Sequence, residues 1–226
     1  MLERDLNAHA EKLRGEARTI AVPIDVERIA EHRGLRIVGS TPRGEFKLPR
    51  GRRGEIRINE RLLIVRSEFL DDPSREAELL EVISHEIAHD TLHADFLSQH
   101  PLPFDTLEFN QLDMGRLSFS STQTDRLERE AIFLGSLLQV PLPQLKRVLA
   151  PEIAAYVRES QRGSAHRLAI ENAARTYAKR VPDLVQQHFH ITLRTARFVL
   201  SYWDASLRPP KEWWEESLEV RKPNPR

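Results

Sequence analysis

Ile83-Ser84-His85-Glu86-Ile87-Ala88-His89 is the stretch on which the reading of this chain turns. Its two histidines stand four residues apart, with a glutamate directly after the first. On a helix, residues four apart share a face one turn, about 5.4 Å, along the axis, so two imidazoles can converge on one ion. Neutral imidazole suits Zn2+, and a site with three protein ligands keeps a fourth position for water. Glu86 can then take a proton from that water and hand it to a leaving amine. The competing reading is a surface helix carrying two solvated histidines. Leu79, Leu80, Val82 and Ile83, just before the motif, weigh against it because they give the same helix a broad apolar face.

Working outward, the helix begins at Asp72, which can cap it. Pro73 suits the first helical position, and Glu76 complements the positive end of the helix dipole. Leu80, Ile83, Ile87 and Thr91 share one face, widened by Leu79, Val82 and Ala88. Upstream, the runs Leu35–Val38, Glu45–Leu48, Glu55–Asn59 and Leu62–Val65 read as short strands between turns rich in Gly, Pro and Arg. The connections between successive runs are too short for parallel crossovers, so a small antiparallel sheet is expected. Before them, residues 3–18 read as a mostly polar helix ending near Gly15. Pro23–Arg33 reads as a short helix capped by Asp25 and stopped by Gly34.

Downstream, residues 94–122 carry no clear period. A good helix follows over 124–139, stopped by Val140-Pro141-Leu142-Pro143, and Arg-rich helices continue to about residue 207. A third metal ligand must come from outside the motif helix. His93 continues the face of His85 and His89. At 1.5 Å per residue it lies about 12 Å along the axis from His85, too far to share the ion. It can support a ligand, face a substrate, cap the helix end or sit at the surface. The helix over 124–139 offers Asp125, Glu128 and Glu130. Glu128 stands above Ala131, Ile132 and Gly135, a stripe with two small residues that lets another helix approach closely. Glu130 stands above the bulkier Phe133, Leu134 and Leu137. A shared metal requires close approach, which favours Glu128 over an exposed, solvated role for that side chain.

Composition narrows the class. Lys+Arg and Asp+Glu number 34 each among 226 residues, so net charge near zero argues against a general nucleic-acid coat or an anionic-membrane binder. Cysteine is absent, which excludes disulfides and Cys-ligated metal sites. The first residues carry charge and no apolar signal core, and no run approaches the roughly 18–20 apolar residues of a membrane span. A soluble, cytoplasmic protein without membrane association is expected.

Four stretches together resemble the ImmA/IrrE-type zinc metallo-endopeptidases. They are Val22-Pro23-Ile24-Asp25-Val26 with Ile29-Ala30, Gly54-Glu55-Ile56-Arg57-Ile58-Asn59, the motif helix with Leu92-His93, and Glu128-Arg129-Glu130-Ala131 running to Leu137-Leu138-Gln139-Val140-Pro141. The likeness spans roughly residues 20 to 145. It implies a zinc cofactor held by His85, His89 and Glu128, with Glu86 as catalytic acid–base. Ile132 and Leu134-Gly135 depart from the residues usual there, as does the segment Arg66–Asp72. The implied fold is α+β: a mainly helical zincin-like domain with a small antiparallel sheet over 1–145. A helical C-terminal domain over 146–210 and a tail over 211–226 complete the expected organisation. The implied substrate is an intracellular helix-turn-helix transcriptional repressor, cleaved to switch on stress or mobile-element genes. Glu55–Asn59 is the candidate edge strand for holding it.

Leu184 to Leu200 has helix-turn-helix spacing, with Thr192 as cap of the second helix and His190 at the turn position where Gly is usual. Lys and Arg outnumber Asp and Glu from Pro141 to Pro210. Arg194 and Arg197 are therefore candidate DNA contacts, against a lobe that packs on the peptidase or cradles substrate. The alternative function is a non-proteolytic DNA-binding or antirepressor protein with a structural metal. Trp203, Trp213 and Trp214 read as packing anchors. His93, Tyr156, Tyr177 and Tyr202 are unranked candidates for stabilising the oxyanion.

Overall fold

The computed structural model describes residues 3–41, 44–99, 123–162 and 167–202. In chain order the elements are α1 (Glu3–Glu16), α2 (Val26–His32), β1 (Arg36–Ser40), β2 (Gly54–Arg57), β3 (Leu62–Arg66) and α3 (Ser67–Leu70). A 3-10 turn (Pro73–Arg75) leads into α4 (Glu76–Leu92), followed by α5 (Ala94–Gln99), α6 (Gln123–Gln139), α7 (Leu142–Arg162), α8 (Arg167–Phe189) and α9 (Leu193–Tyr202). The described residues are thus mixed α+β, mostly helical, with one three-stranded sheet. The chain divides into two compact units, Met1–Pro141 and Leu142–Arg226. The division falls at the proline pair that stops α6, slightly before the expected residue 145. Residues 100–122, the tail over 211–226 and the three tryptophans lie outside the described residues.

In the first unit, the sheet order is β1-β3-β2. β3 is central, and Leu62, Leu63, Ile64 and Val65 are all buried, as a strand covered on both faces requires. The sheet is mixed, which corrects the antiparallel expectation: β2 pairs antiparallel with β3, whereas β1 runs parallel to it. The parallel pair is joined through residues 41–61, a long crossover that carries β2 on the way. Judging each short connection separately hid that route. Glu45–Leu48 is not a strand either. Its Leu48 amide donates to Ser40 Oγ at 2.9 Å, so a side chain takes the place of a ladder partner.

The helices follow local chemistry. Leu6, Ala10, Leu13 and Ala17 recur at helical spacing and are buried, and α1 packs on α6. From the same face the buried Arg14 guanidinium donates to the Leu137 carbonyl at 2.5 Å, satisfying an acceptor in the last turn of α6. Asp25 caps α2 through the Arg28 amide. Gly34, at φ 71°, closes α2 with a Leu35 N–H to Ala30 carbonyl bond. Asp72 accepts from the Ser74 amide at 2.9 Å and so caps the 3-10 turn, which corrects the expected helix start: α4 begins at Glu76, after Arg75, which makes no side-chain cap. α4 itself packs on α6 and on β2 and β3, so it is buried on more than one side.

Asp90, one residue past the motif, is buried and receives two guanidinium groups. Arg33 Nε donates to its Oδ2 at 2.5 Å and Arg61 Nη1 to its Oδ1 at 2.6 Å. Arg61 also donates to the Arg33 carbonyl. Arg33 ends α2 and Arg61 immediately precedes β3, so one carboxylate joins α2, the sheet and α4.

The second unit consists, among the described residues, of α7, α8 and α9. Leu145, Leu149, Glu152 and Tyr156 line the buried side of α7, and Tyr156 meets Tyr177 of α8 edge-on at 5.5 Å between ring centres. α8 ends with His190 at φ 53° and an Ile191 N–H to Gln186 carbonyl bond. A histidine therefore occupies the left-handed position that glycine usually fills. Thr192 Oγ1 then accepts from the Thr195 amide at 3.1 Å and caps α9, which buries Ala196, Val199 and Leu200.

Candidate metal centre

Two helices build the site. α4 places His85 and His89 one turn apart, and α6 brings Glu128 opposite them. His85 Nε2 and His89 Nε2 are 3.1 Å apart. Glu128 Oε2 lies 3.1 Å from His85 Nε2, and its Oε1 lies 3.4 Å from His89 Nε2. These are the three donors that could hold one ion, all within 4.8 Å of one another. Ligand atoms bound at about 2.0–2.2 Å around a tetrahedral zinc stand roughly 3.3–3.6 Å apart, so the triangle fits that ion closely. Two imidazoles and a carboxylate also suit its borderline chemistry, as they suit Mn2+ or Fe2+.

Glycines make the approach close enough. A Cβ on Gly135 of α6 would lie 3.1 Å from the His85 amide nitrogen and from the Ser84 carbonyl group. On the opposite side, a Cβ on Gly54 of β2 would lie 2.4 Å from Val82 Cγ1 and 3.1 Å from Glu86 Oε1. The stripe of small residues below Glu128 therefore does what its spacing suggests. Gly54, whose contact with Glu86 is invisible in local sequence, performs the same service for the sheet.

Glu86 is buried next to the ligand set. Burial pushes its carboxyl up to about 7; His89 opposes the rise and Glu128 adds to it. Burial alone would raise the Glu128 carboxyl as well, yet His89 and His85 hold it well below the usual carboxylate range. The two glutamates thus occupy opposite regimes within one cluster.

His93 is not a member of the ligand triangle. Its Nδ1 lies 3.0 Å from His89 Nδ1 and its Nε2 lies 3.1 Å from Glu130 Oε2, so both ring nitrogens are engaged. The ring is buried, and burial followed by the charge of His89 lowers its pKa to about 4. Sequence reasoning set Glu130 aside as a ligand and missed this partnership. The signal was present in the i, i+4 spacing of His89 and His93. The Asp125 side chain lies outside the described residues.

Among the remaining candidates, Tyr156 and Tyr177 are buried against each other within the second unit, and the Tyr202 side chain lies outside the described residues. On α9, Arg197 is exposed and Arg194 half-buried. Among the described residues, no helix is long and apolar enough to cross a membrane. Compared with known proteins, the chain matches no family model, no curated protein and no solved structure.

Proposed function

We propose that this chain is a zinc-dependent endopeptidase, with His85, His89 and Glu128 as metal ligands and Glu86 as the catalytic acid–base. One observation carries the reading: a two-histidine, one-carboxylate triangle of bonding size, with a second, buried carboxylate of raised pKa beside it. A structural metal site has no use for that second carboxylate. Bound there, zinc would supply Lewis-acid polarisation of a carbonyl and lower the pKa of water in contact with it.

The chain's own residues provide the rest. Glu86 takes a proton from the attacking water as its oxygen bonds to the scissile carbonyl carbon. It then delivers that proton to the departing amine as the C–N bond breaks. β2 is an edge strand whose Gly54 end abuts Glu86, which supports strand addition by an extended substrate next to the acid–base group. The resemblance of the four sequence stretches supports an intracellular helix-turn-helix repressor as substrate and the cytoplasm as the place of action.

A second reading, a DNA-binding or antirepressor protein with a structural metal, draws on the α8–turn–α9 pair and the exposed Arg197. Paired measurements of zinc content and repressor fragmentation separate the two. Glu86→Gln should retain zinc and lose cleavage under the first reading. Zinc binding with no fragmentation by the wild type, together with salt-dependent DNA affinity, would support the second.

A further inference from the structure

We propose that Glu130 and His93 form a relay that sets the tautomer and ring orientation of His89, leaving its Nε2 lone pair free for the metal. The inference rests on the metal reading of the His85–His89–Glu128 triangle. Its basis is the direction in which a chain of three hydrogen-bonding groups must run.

Glu130 Oε2 lies 3.1 Å from His93 Nε2, and an ionised carboxylate can only accept. The proton of this contact therefore sits on His93 Nε2. A neutral imidazole carries one N–H, so His93 Nδ1 is an acceptor. It stands 3.0 Å from His89 Nδ1, which must then donate. The His89 proton is thereby assigned to Nδ1, and His89 Nε2 is left bare. That nitrogen is the one 3.1 Å from His85 Nε2 and 3.4 Å from Glu128 Oε1. One carboxylate on α6 orients the ligand from behind, and another on the same helix, two residues earlier, joins it in front.

The opposite polarity is a charged His93 paired with Glu130. In that arrangement His93 Nδ1 donates, His89 carries its proton on Nε2, and a proton faces Glu128 where the metal belongs. The two arrangements predict different tautomers and different affinities. Glu130 and His93 are positioning residues here; neither touches the reacting atoms.

The test combines zinc affinity, measured by competition with a chromophoric chelator, and the histidine tautomers, read by long-range 1H–15N NMR of the chelated protein at neutral pH. His93→Phe removes the acceptor and should weaken zinc binding about 10–100-fold. Glu130→Leu should weaken it in the same range, and Glu130→Gln, whose carbonyl still accepts, should recover most of the loss. Because the two residues act in series on one ligand, the His93→Phe/Glu130→Leu double variant should be no weaker than His93→Phe alone. Wild-type His89 should show the Nδ1–H form and His93 the Nε2–H form. An Nε2–H form of His89 in the wild type would overturn the relay, even if a variant failed to fold. Unchanged zinc affinity in folded His93→Phe would do the same. A wild type that binds no zinc would instead overturn the metal reading on which the relay rests.

Discussion

Gly135 on α6 and His85 on α4 meet backbone to backbone: a Cβ on the glycine would lie 3.1 Å from the His85 amide nitrogen. The neighbouring obstacles are the Ser84 carbonyl carbon and oxygen, which belong to a buried helix and cannot swing aside. We predict that Gly135→Ala separates the helices, destabilises the fold by about 1–3 kcal/mol and weakens zinc binding. Urea unfolding and chelator competition on the same preparation measure both. Zinc affinity equal to wild type would show that Glu128 does not depend on this contact.

Gly54 sets the opposite boundary of the site. Its substitution by alanine places a methyl group closest to Val82 and Glu86. Gly54→Ala should therefore keep stoichiometric zinc while lowering the cleavage rate by about tenfold or more through displacement of the Glu86 carboxylate. Loss of zinc together with activity would mean that the disturbance spreads beyond Glu86.

Metal content itself is the simplest check on the triangle. Wild type should hold about one zinc per chain by mass spectrometry, matching a three-ligand site. Glu128→Ala and His89→Ala should each lose most of it. Equal zinc in Glu128→Ala would remove α6 from the site.

The buried carboxyl of Glu86 also makes a prediction for pH. Its folded pKa is raised from 4.5 to about 7, so protonation favours the folded chain. That contribution is full below about pH 4.5 and is lost as pH rises through about 7. His93 runs the other way, because its pKa falls from 6.5 to about 4. Its contribution is full above about pH 6.5 and disappears as pH falls through about 4. In chelated protein the two trends offset each other between about pH 4.5 and 6.5. Glu86→Gln should expose the His93 trend, so that stability relative to wild type increases from about pH 5 to pH 8. Urea midpoints across that range supply the measurement, and a difference that stays constant would refute the assignment.

Asp90 anchors two guanidinium groups from a buried position, and Asp90→Asn removes the charge while keeping the shape. Arg61 is 41% exposed and can turn to water, so the expected loss is moderate, about 2–3 kcal/mol. Thermal unfolding would report it. A melting temperature equal to wild type would show that the clamp contributes nothing net.

Much of the first unit was legible from local rules. Asp25 and Gly34 mark helix ends through chemistry that acts within a few residues, and these caps form as the residue types dictate, whereas Asp72 caps the 3-10 turn before α4 and not α4 itself. Glu128 was separable from Glu130 because a stripe of small residues is a sequence-level trace of close helix approach. Non-local relationships left weaker traces. The parallel pairing of β1 with β3 depends on a crossover through residues 41–61, and no single stretch encodes its direction. The Glu130–His93 contact joins residues 37 apart in sequence, and the Arg33–Asp90–Arg61 clamp joins two loops to a helix. His190 departs in the other direction. It stands at the turn position where Gly is usual and adopts φ 53° there, followed by the Ile191 N–H to Gln186 carbonyl bond and the Thr192 cap.

The clamp at Asp90 has a consequence for the order in which the molecule assembles. β1 and β3 enter the sheet side by side, and the arginines at those two entrances, Arg33 and Arg61, converge on a carboxylate supplied by α4. Parallel pairing across a long crossover closes slowly when unaided, since chain entropy is lost before contacts reward it. Here the helix that follows the strands in sequence gathers their entrances, so sheet and helix should become protected as one cooperative unit. Hydrogen exchange should then report β3 and α4 amides opening together in the wild type, and β1 opening ahead of them once Asp90 is replaced.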